Sequence, residues 1–191
     1  VVPNPGSLPR AVVLVEGDSD RLALEALAAR RARDLAAEGV AVMGIGGATN
    51  IRRFLDRFGP HGLGLPVAGM CDLAEEGFFR RGLQEAGLAG KGSRDELEAN
   101  GFYVCEPDLE GELIRALGTA GVEAVIEAEG ELGWLRLMQR QPAQQGRTAH
   151  QQLHRFMGTR AGRKAAYARR LVEALDPERI PAPLDGVLRH V

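Results

Sequence analysis

The chain has 191 residues, of which 45% are apolar and 26% charged, a composition that suits one folded domain with a sizeable core and excludes a disordered or fibrous chain. No apolar run approaches the roughly 18 residues of a membrane span and no basic-then-apolar leader is visible; two cysteines, Cys71 and Cys105, build neither a disulfide framework nor a Cys-rich zinc site, so a reduced, cytoplasmic setting is expected. The net charge of −2 hides unlike parts: residues 1–131 hold 13 basic and 22 acidic side chains, 132–172 nine basic and no acidic ones, and 173–191 two basic and four acidic.

A β-branched run predicts a strand over 12–15 that ends at Glu16-Gly17, and a helix over 19–37 follows until Gly39 stops it. A second strand over 40–45 leads into Gly46-Gly47 and a helix over 51–58, for which Thr49 is the expected cap. The third strand, 65–71, ends at Asp72 before a helix over 75–86. The fourth, 102–105, runs into Glu106-Pro107-Asp108 and a helix over 109–117. Beyond 121 the pattern is helical near 121–140, 148–157 and 161–175, and the proline-rich tail from 177 is expected to lie across the surface. Four βα units in succession predict an α/β fold with a parallel four-stranded sheet flanked by helices, because parallel neighbours need crossover connections. The expected division is a core over 1–120 and a helical, basic extension over 121–191 packed on it.

Three of the four strands run into carboxylates: Glu16, Asp18 and Asp20 after the first, Asp72, Glu75 and Glu76 after the third, Glu106, Asp108, Glu110 and Glu112 after the fourth. In a parallel sheet all carboxyl ends lie on one edge, so these acids should gather there. Singly, Asp18, Asp72 and Asp108 also read as helix caps. Together they repel one another unless a cation neutralises them, and hard oxygen ligands suit Mg²⁺ or Mn²⁺. Such sites serve phosphoryl chemistry, in which the metal activates water and stabilises the leaving oxygen.

Val15-Glu16-Gly17 with Asp20, Gly46-Gly47 before a helix, Asp72 at the third strand end, Asp108-Leu109-Glu110, and the later Gly162-Arg163-Lys164 with Tyr167-Ala168 resemble, in order, the Toprim nuclease half of the overcoming-lysogenization-defect (OLD) family. The similarity spans roughly 11–175. It implies a Toprim, Rossmann-like sheet and metal-dependent cleavage of DNA, with RNA as the other candidate substrate. Glu16, Asp20, Asp72 and Glu110 would be metal ligands and Asp108 a further one. Glu16, Asp72 and Lys164 would be catalytic, with Lys164 stabilising phosphate charge. One departure weakens the analogy: many Toprim proteins carry Asp-x-Asp at the third strand end, whereas Asp72-Leu73-Ala74 lacks the second acid, and Glu75 or Glu76 is the expected substitute. No Gly-x-x-x-x-Gly-Lys-Ser/Thr loop is present, since Gly90-Lys91-Gly92-Ser93 fails after its lysine. The resemblance therefore implies a stand-alone domain, any ATPase partner of which would be a separate chain, with a homodimer also open. The other readings are a non-catalytic Toprim module binding nucleic acid or a partner ATPase, and a nucleotidyl- or phosphate-transfer enzyme.

The acid-free segment reads as a nucleic-acid-binding surface, with Arg160, Arg163, Arg169 and Arg170 as its expected contacts. Trp134 is expected in the core. His150 and His154 share a helix face without the zinc-protease glutamate, and hydrogen bonding or phosphate contact is expected of them rather than metal ligation. Gly46-Gly47 could also serve a nucleotide phosphate, although the glycine pattern of a dinucleotide fold is missing.

Overall fold

A computed structural model describes residues 8–90, 93–160 and 162–191. Four strands, β1 (Ala11–Val15), β2 (Val40–Gly44), β3 (Val67–Asp72) and β4 (Phe102–Cys105), form one sheet in the order β2-β1-β3-β4 with every pairing parallel. The helices are α1 (Asp18–Arg30), α2 (Ile51–Phe58), α3 (Glu76–Glu85), α4 (Arg94–Ala99), α5 (Leu109–Ala128), α6 (Leu132–Gln139), α7 (Ala149–Met157), α8 (Arg163–Ala174) and α9 (Ala182–His190). The α/β class and the strand positions agree with the sequence. Lys91 and Gly92 of the imitated phosphate loop lie outside the described residues.

Strand β1 is fully buried because both faces are covered. Ala11, Val13 and Val15 join a cluster with α1 and α5–α9, whereas Val12 and Leu14 join another with α2, α3 and α4. The helices beyond residue 121 are thus one covering layer of the sheet, and the expected boundary after 120 falls inside α5. That helix is broken at Gly118, whose φ of +73° and ψ of +158° lie outside helical space and are accessible only to glycine at low cost.

The structure departs from the expected elements where side-chain pattern and backbone geometry disagree. The first helix ends at Arg30 rather than 37, because Ala32 takes a positive φ of +54° and the chain turns so that Leu35 packs inward. Thr49 does not cap α2; it sits inside a 3₁₀ turn, Ala48–Asn50, entered from Gly47 at φ +109°. The tail does not lie across the surface: α9 buries Pro183, Leu184, Val187 and Leu188 against α1 and the sheet. Its prolines occupy the cap and the first turn, where a missing N–H costs nothing. Trp134 is not in the core. It is 64% exposed on α6, and Leu135 and Met138 form that helix's buried face.

Candidate metal centre at the carboxyl edge of the sheet

The strand order reverses between β1 and β3, so their carboxyl ends diverge into a crevice, the place where open α/β sheets hold ligands. Glu16 follows β1 and spans this crevice: the backbone N–H of Asp72, the last residue of β3, donates to Glu16 Oε1 at 2.9 Å. Asp20, in the first turn of α1, accepts the Gly17 N–H at 3.0 Å through Oδ2. Asp108 caps α5 by accepting the Gly111 N–H at 2.8 Å, and its other oxygen lies 2.6 Å from His154 Nε2. Glu110, in the first turn of α5, is only 2% exposed. Its oxygens accept no aligned hydrogen bond, and the Lys164 ammonium, 3.0 Å from Oε2, meets it as an ion pair without that alignment.

Not every strand-end acid belongs to this group. Asp18 is exposed and pairs with Arg21; Glu76 is held by Arg80 at 2.6 Å and Arg94 at 2.9 Å; Glu106 pairs with Arg94. Arginine thus neutralises the outlying acids and leaves Glu16, Asp20, Asp72, Asp108 and Glu110 around a single lysine. Glu75 raises the pKa of Glu16 by its charge, so of the two candidate substitutes for the missing second aspartate it is Glu75 that shares the field of the cluster.

Mutual repulsion in a partly dry crevice has a clear signature. Burial, then the charges of Glu16 and Asp20, push Asp72 up to about 7. Burial foremost, with Glu110 and Glu16 adding to it, raises Asp20 to about 6 against the pull of the Gly17 N–H. Burial also raises Glu16 and Glu110. Asp108 is the exception: burial works to raise it, but the hydrogen bonds from His154 and the Gly111 N–H outweigh burial and hold it low. His154 is raised in turn by that bond. Several carboxylates that resist ionising together are what a binding site for a cation looks like before the cation is counted.

Lys164 reaches these acids because α8 is fixed lengthwise against α1. Ala23, Leu24 and Leu27 of α1 face Tyr167, Ala168, Leu171 and Val172 of α8 in one buried cluster. At the far end Arg30 donates to the carbonyls of Val172 at 2.7 Å and Leu175 at 2.6 Å, using a cation to close the last turn of α8. The other end of α8 then lies over Asp20 and Glu110, with Arg163 and Lys164 as its first residues. Two cations at a helix N-terminus oppose the helix dipole, a local cost that α8 bears only because Glu131 and Glu110 stand opposite.

Oxygen donors, a buried carboxylate oxygen with no partner and depressed ionisation fit a hard divalent cation. Asp108, Glu110 and His154 each offer one ligand atom, all within 4.8 Å of one another. Beside them a cleft of about 200 Å³ is lined by Glu110, His154, Arg155, Gly158 and Lys164. A larger hollow, about 310 Å³ between Pro66, Val67, Asn100 and His190, opens at the amino edge of the sheet, away from the acids. The four-residue spacing of His150 and His154 marked a shared helix face, with hydrogen bonding expected, and Arg155 belongs to the acid-free segment, but only the packing of α7 on α5 brings His154 and Arg155 here. The structure does not gather the four expected nucleic-acid contacts here. Arg163 is 10% exposed, bound to Glu131 at 2.9 Å and stacked on the Phe156 ring; Arg169 pairs with Glu173, Arg170 with Glu129, and Arg160 lies 3.8 Å from Glu131. Cys71 and Cys105 are buried free thiols, and burial raises both pKa values.

Comparison with known proteins agrees with the fold. Residues 9–73 match the family model described as Overcoming lysogenization defect protein-like, TOPRIM domain. The C-terminal region of the Burkholderia pseudomallei OLD protein superposes with a TM-score of 0.75 at 23% identity, covering 96% of this chain and 97% of that one. The C-terminal region of the Xanthomonas campestris pv. campestris OLD protein gives TM-scores of 0.70 and 0.69 in two structures, at 25% and 26% identity, with 95% of this chain covered in each. No curated protein matches the chain by sequence.

Proposed function

We propose that this chain, which carries a TOPRIM domain of the overcoming-lysogenization-defect type, is a divalent-metal-dependent nuclease-like protein acting on DNA phosphodiester bonds. The observation that carries the reading is the set of five carboxylates from three strand ends, left without arginine partners around one lysine, with a buried Glu110 oxygen unpartnered. Glu16, Asp20, Asp72, Asp108 and Glu110 would hold Mg²⁺ or Mn²⁺, with His154 beside them. A bound divalent ion supplies an activated water and charge neutralisation at the scissile phosphate.

The chain's own residues do the positioning. The Asp72 N–H fixes the Glu16 carboxylate across the crevice, and the Gly17 N–H fixes Asp20. Lys164, half exposed and facing the cleft, offers an ammonium to a non-bridging phosphate oxygen where negative charge builds up. His154, held by Asp108, can donate a proton within the cleft.

Incubation of supercoiled plasmid with the protein and Mn²⁺ or Mg²⁺ tests the reading. Nicking is expected, and Asp72→Ala should abolish it. Ala74 in place of a second aspartate favours the other reading, a non-catalytic module that binds nucleic acid or a partner ATPase. Salt-sensitive DNA binding without cleavage in any divalent ion would establish that alternative.

A further inference from the structure

Ion pairing sorts the nine cations of the acid-free segment 132–172. Arg136 is held by Glu123, Arg160 and Arg163 face Glu131, Lys164 faces Glu110, Arg169 pairs with Glu173 and Arg170 with Glu129. Among the described residues, Arg140, Arg147 and Arg155 are exposed and form no ion pair. Glu131 is shared, and its closer partner is Arg163, so Arg160 before α8 keeps much of its charge; the rest of the uncompensated positive charge lies at the end of α6, before α7 and on α7, not on α8 itself, where the density of arginines in the sequence is highest.

Their placement gives that charge a direction. Arg155 lines the cleft beside Glu110, His154 and Lys164. Arg147 immediately precedes the Thr148 cap of α7, so Arg147 and Arg155 stand at opposite ends of that helix, roughly 12 Å apart along its axis. Arg140 closes α6 just upstream. A free guanidinium fork is the side chain best matched to a phosphate, and a row of them ending at an acidic cleft would carry a polyanion past the repulsion of its carboxylates.

We infer that Arg140, Arg147 and Arg155 form the track along which a phosphodiester strand is held, with Arg155 as the positioning residue at the mouth of the cleft. The α8 arginines are structural counter-charges to Glu129, Glu131 and Glu173. This inference rests on the nuclease reading and deepens it by naming where the strand runs.

Fluorescence anisotropy of labelled DNA and RNA duplexes, in Ca²⁺ over a range of salt concentrations, tests the track. Each phosphate contact contributes about 0.9 to the slope of log K against log salt. Arg155→Ala and Arg147→Ala should each lower the magnitude of that slope by about 1, and Arg155→Lys should keep the slope while weakening binding, because the charge stays and the fork is lost. The double variant Arg169→Ala, Arg170→Ala should leave the slope unchanged. Preference for either duplex leaves the track in place and identifies its strand. A wild-type protein that binds normally, with the slope carried by Arg169 and Arg170 and unmoved by Arg155→Ala and Arg147→Ala, overturns the track alone. A wild-type protein that binds neither duplex overturns the nuclease reading and the track together.

Discussion

Lys164 is the cation paired with the buried Glu110 carboxylate, and replacing it with methionine removes that charge while keeping a long side chain. Removing one partner of a fully buried ion pair costs about 3–5 kcal/mol. Here Glu110 is 2% exposed but the Lys164 side chain is 49% exposed, so solvent already screens part of the interaction and about 2 kcal/mol is the reasonable loss. For a chain of this size that corresponds to a fall in Tm of about 4–8 °C. The loss depends on pH in a defined direction. Glu110 has a raised pKa, so its ionised form is the destabilised one, and the damage appears as pH rises through that pKa. Thermal unfolding followed by circular dichroism in EDTA should therefore separate Lys164→Met from wild type clearly at pH 7.5 and only slightly at pH 5. Saturating Mn²⁺ should raise the Tm of both proteins, because a cation present at about a hundred times its Kd adds about 2.7 kcal/mol to the folded state. Equal Tm values for the two proteins at pH 7.5, or a deficit of the same size at both pH values, would refute the reasoning.

The wild-type protein without metal should itself gain stability as pH falls from about 7.5 to 5. Asp72 at about 7 and Asp20 at about 6 are both raised above the unfolded aspartate value, so the penalty of ionising them is present above those pH values and relieved below them. For the buried Asp20 the relief by pH 5, one unit below its pKa, is about 1.4 kcal/mol, and unfolding scans across that range in EDTA and in Mg²⁺ should show the gain only in EDTA. Gly118→Ala forces a Cβ into an essentially glycine-only conformation costing about 1–3 kcal/mol, with no neighbour within 4 Å to clash against, so it should lower Tm by a few degrees in denaturation scans. Arg30→Ala removes both hydrogen bonds that close α8, at a cost of about 2 kcal/mol, and should also reduce plasmid nicking by loosening the register of Lys164.

The sequence by itself determined the strands and the edge on which the acids gather. Val12 to Val15 cannot be satisfied except in a doubly covered parallel strand, and a strand order built from crossovers sends Glu16, Asp72 and Asp108 to the same side. It also separated an acidic body from a basic segment. What it could not supply was the pairing of charges, because ion pairs are set by distances between side chains far apart in the chain. Only the docking of α8 on α1 put Lys164 beside Glu110, and only the packing of α7 on α5 brought His154 to Asp108 and Arg155 to the cleft. The arginines of α8 are a second case. Arg163 and Arg170 look free in a segment with no acid of its own, yet Glu131 and Glu129 reach them from the neighbouring helix end. The net charge of a segment is a property of sequence, whereas the charge it shows to a ligand is decided by what folds against it.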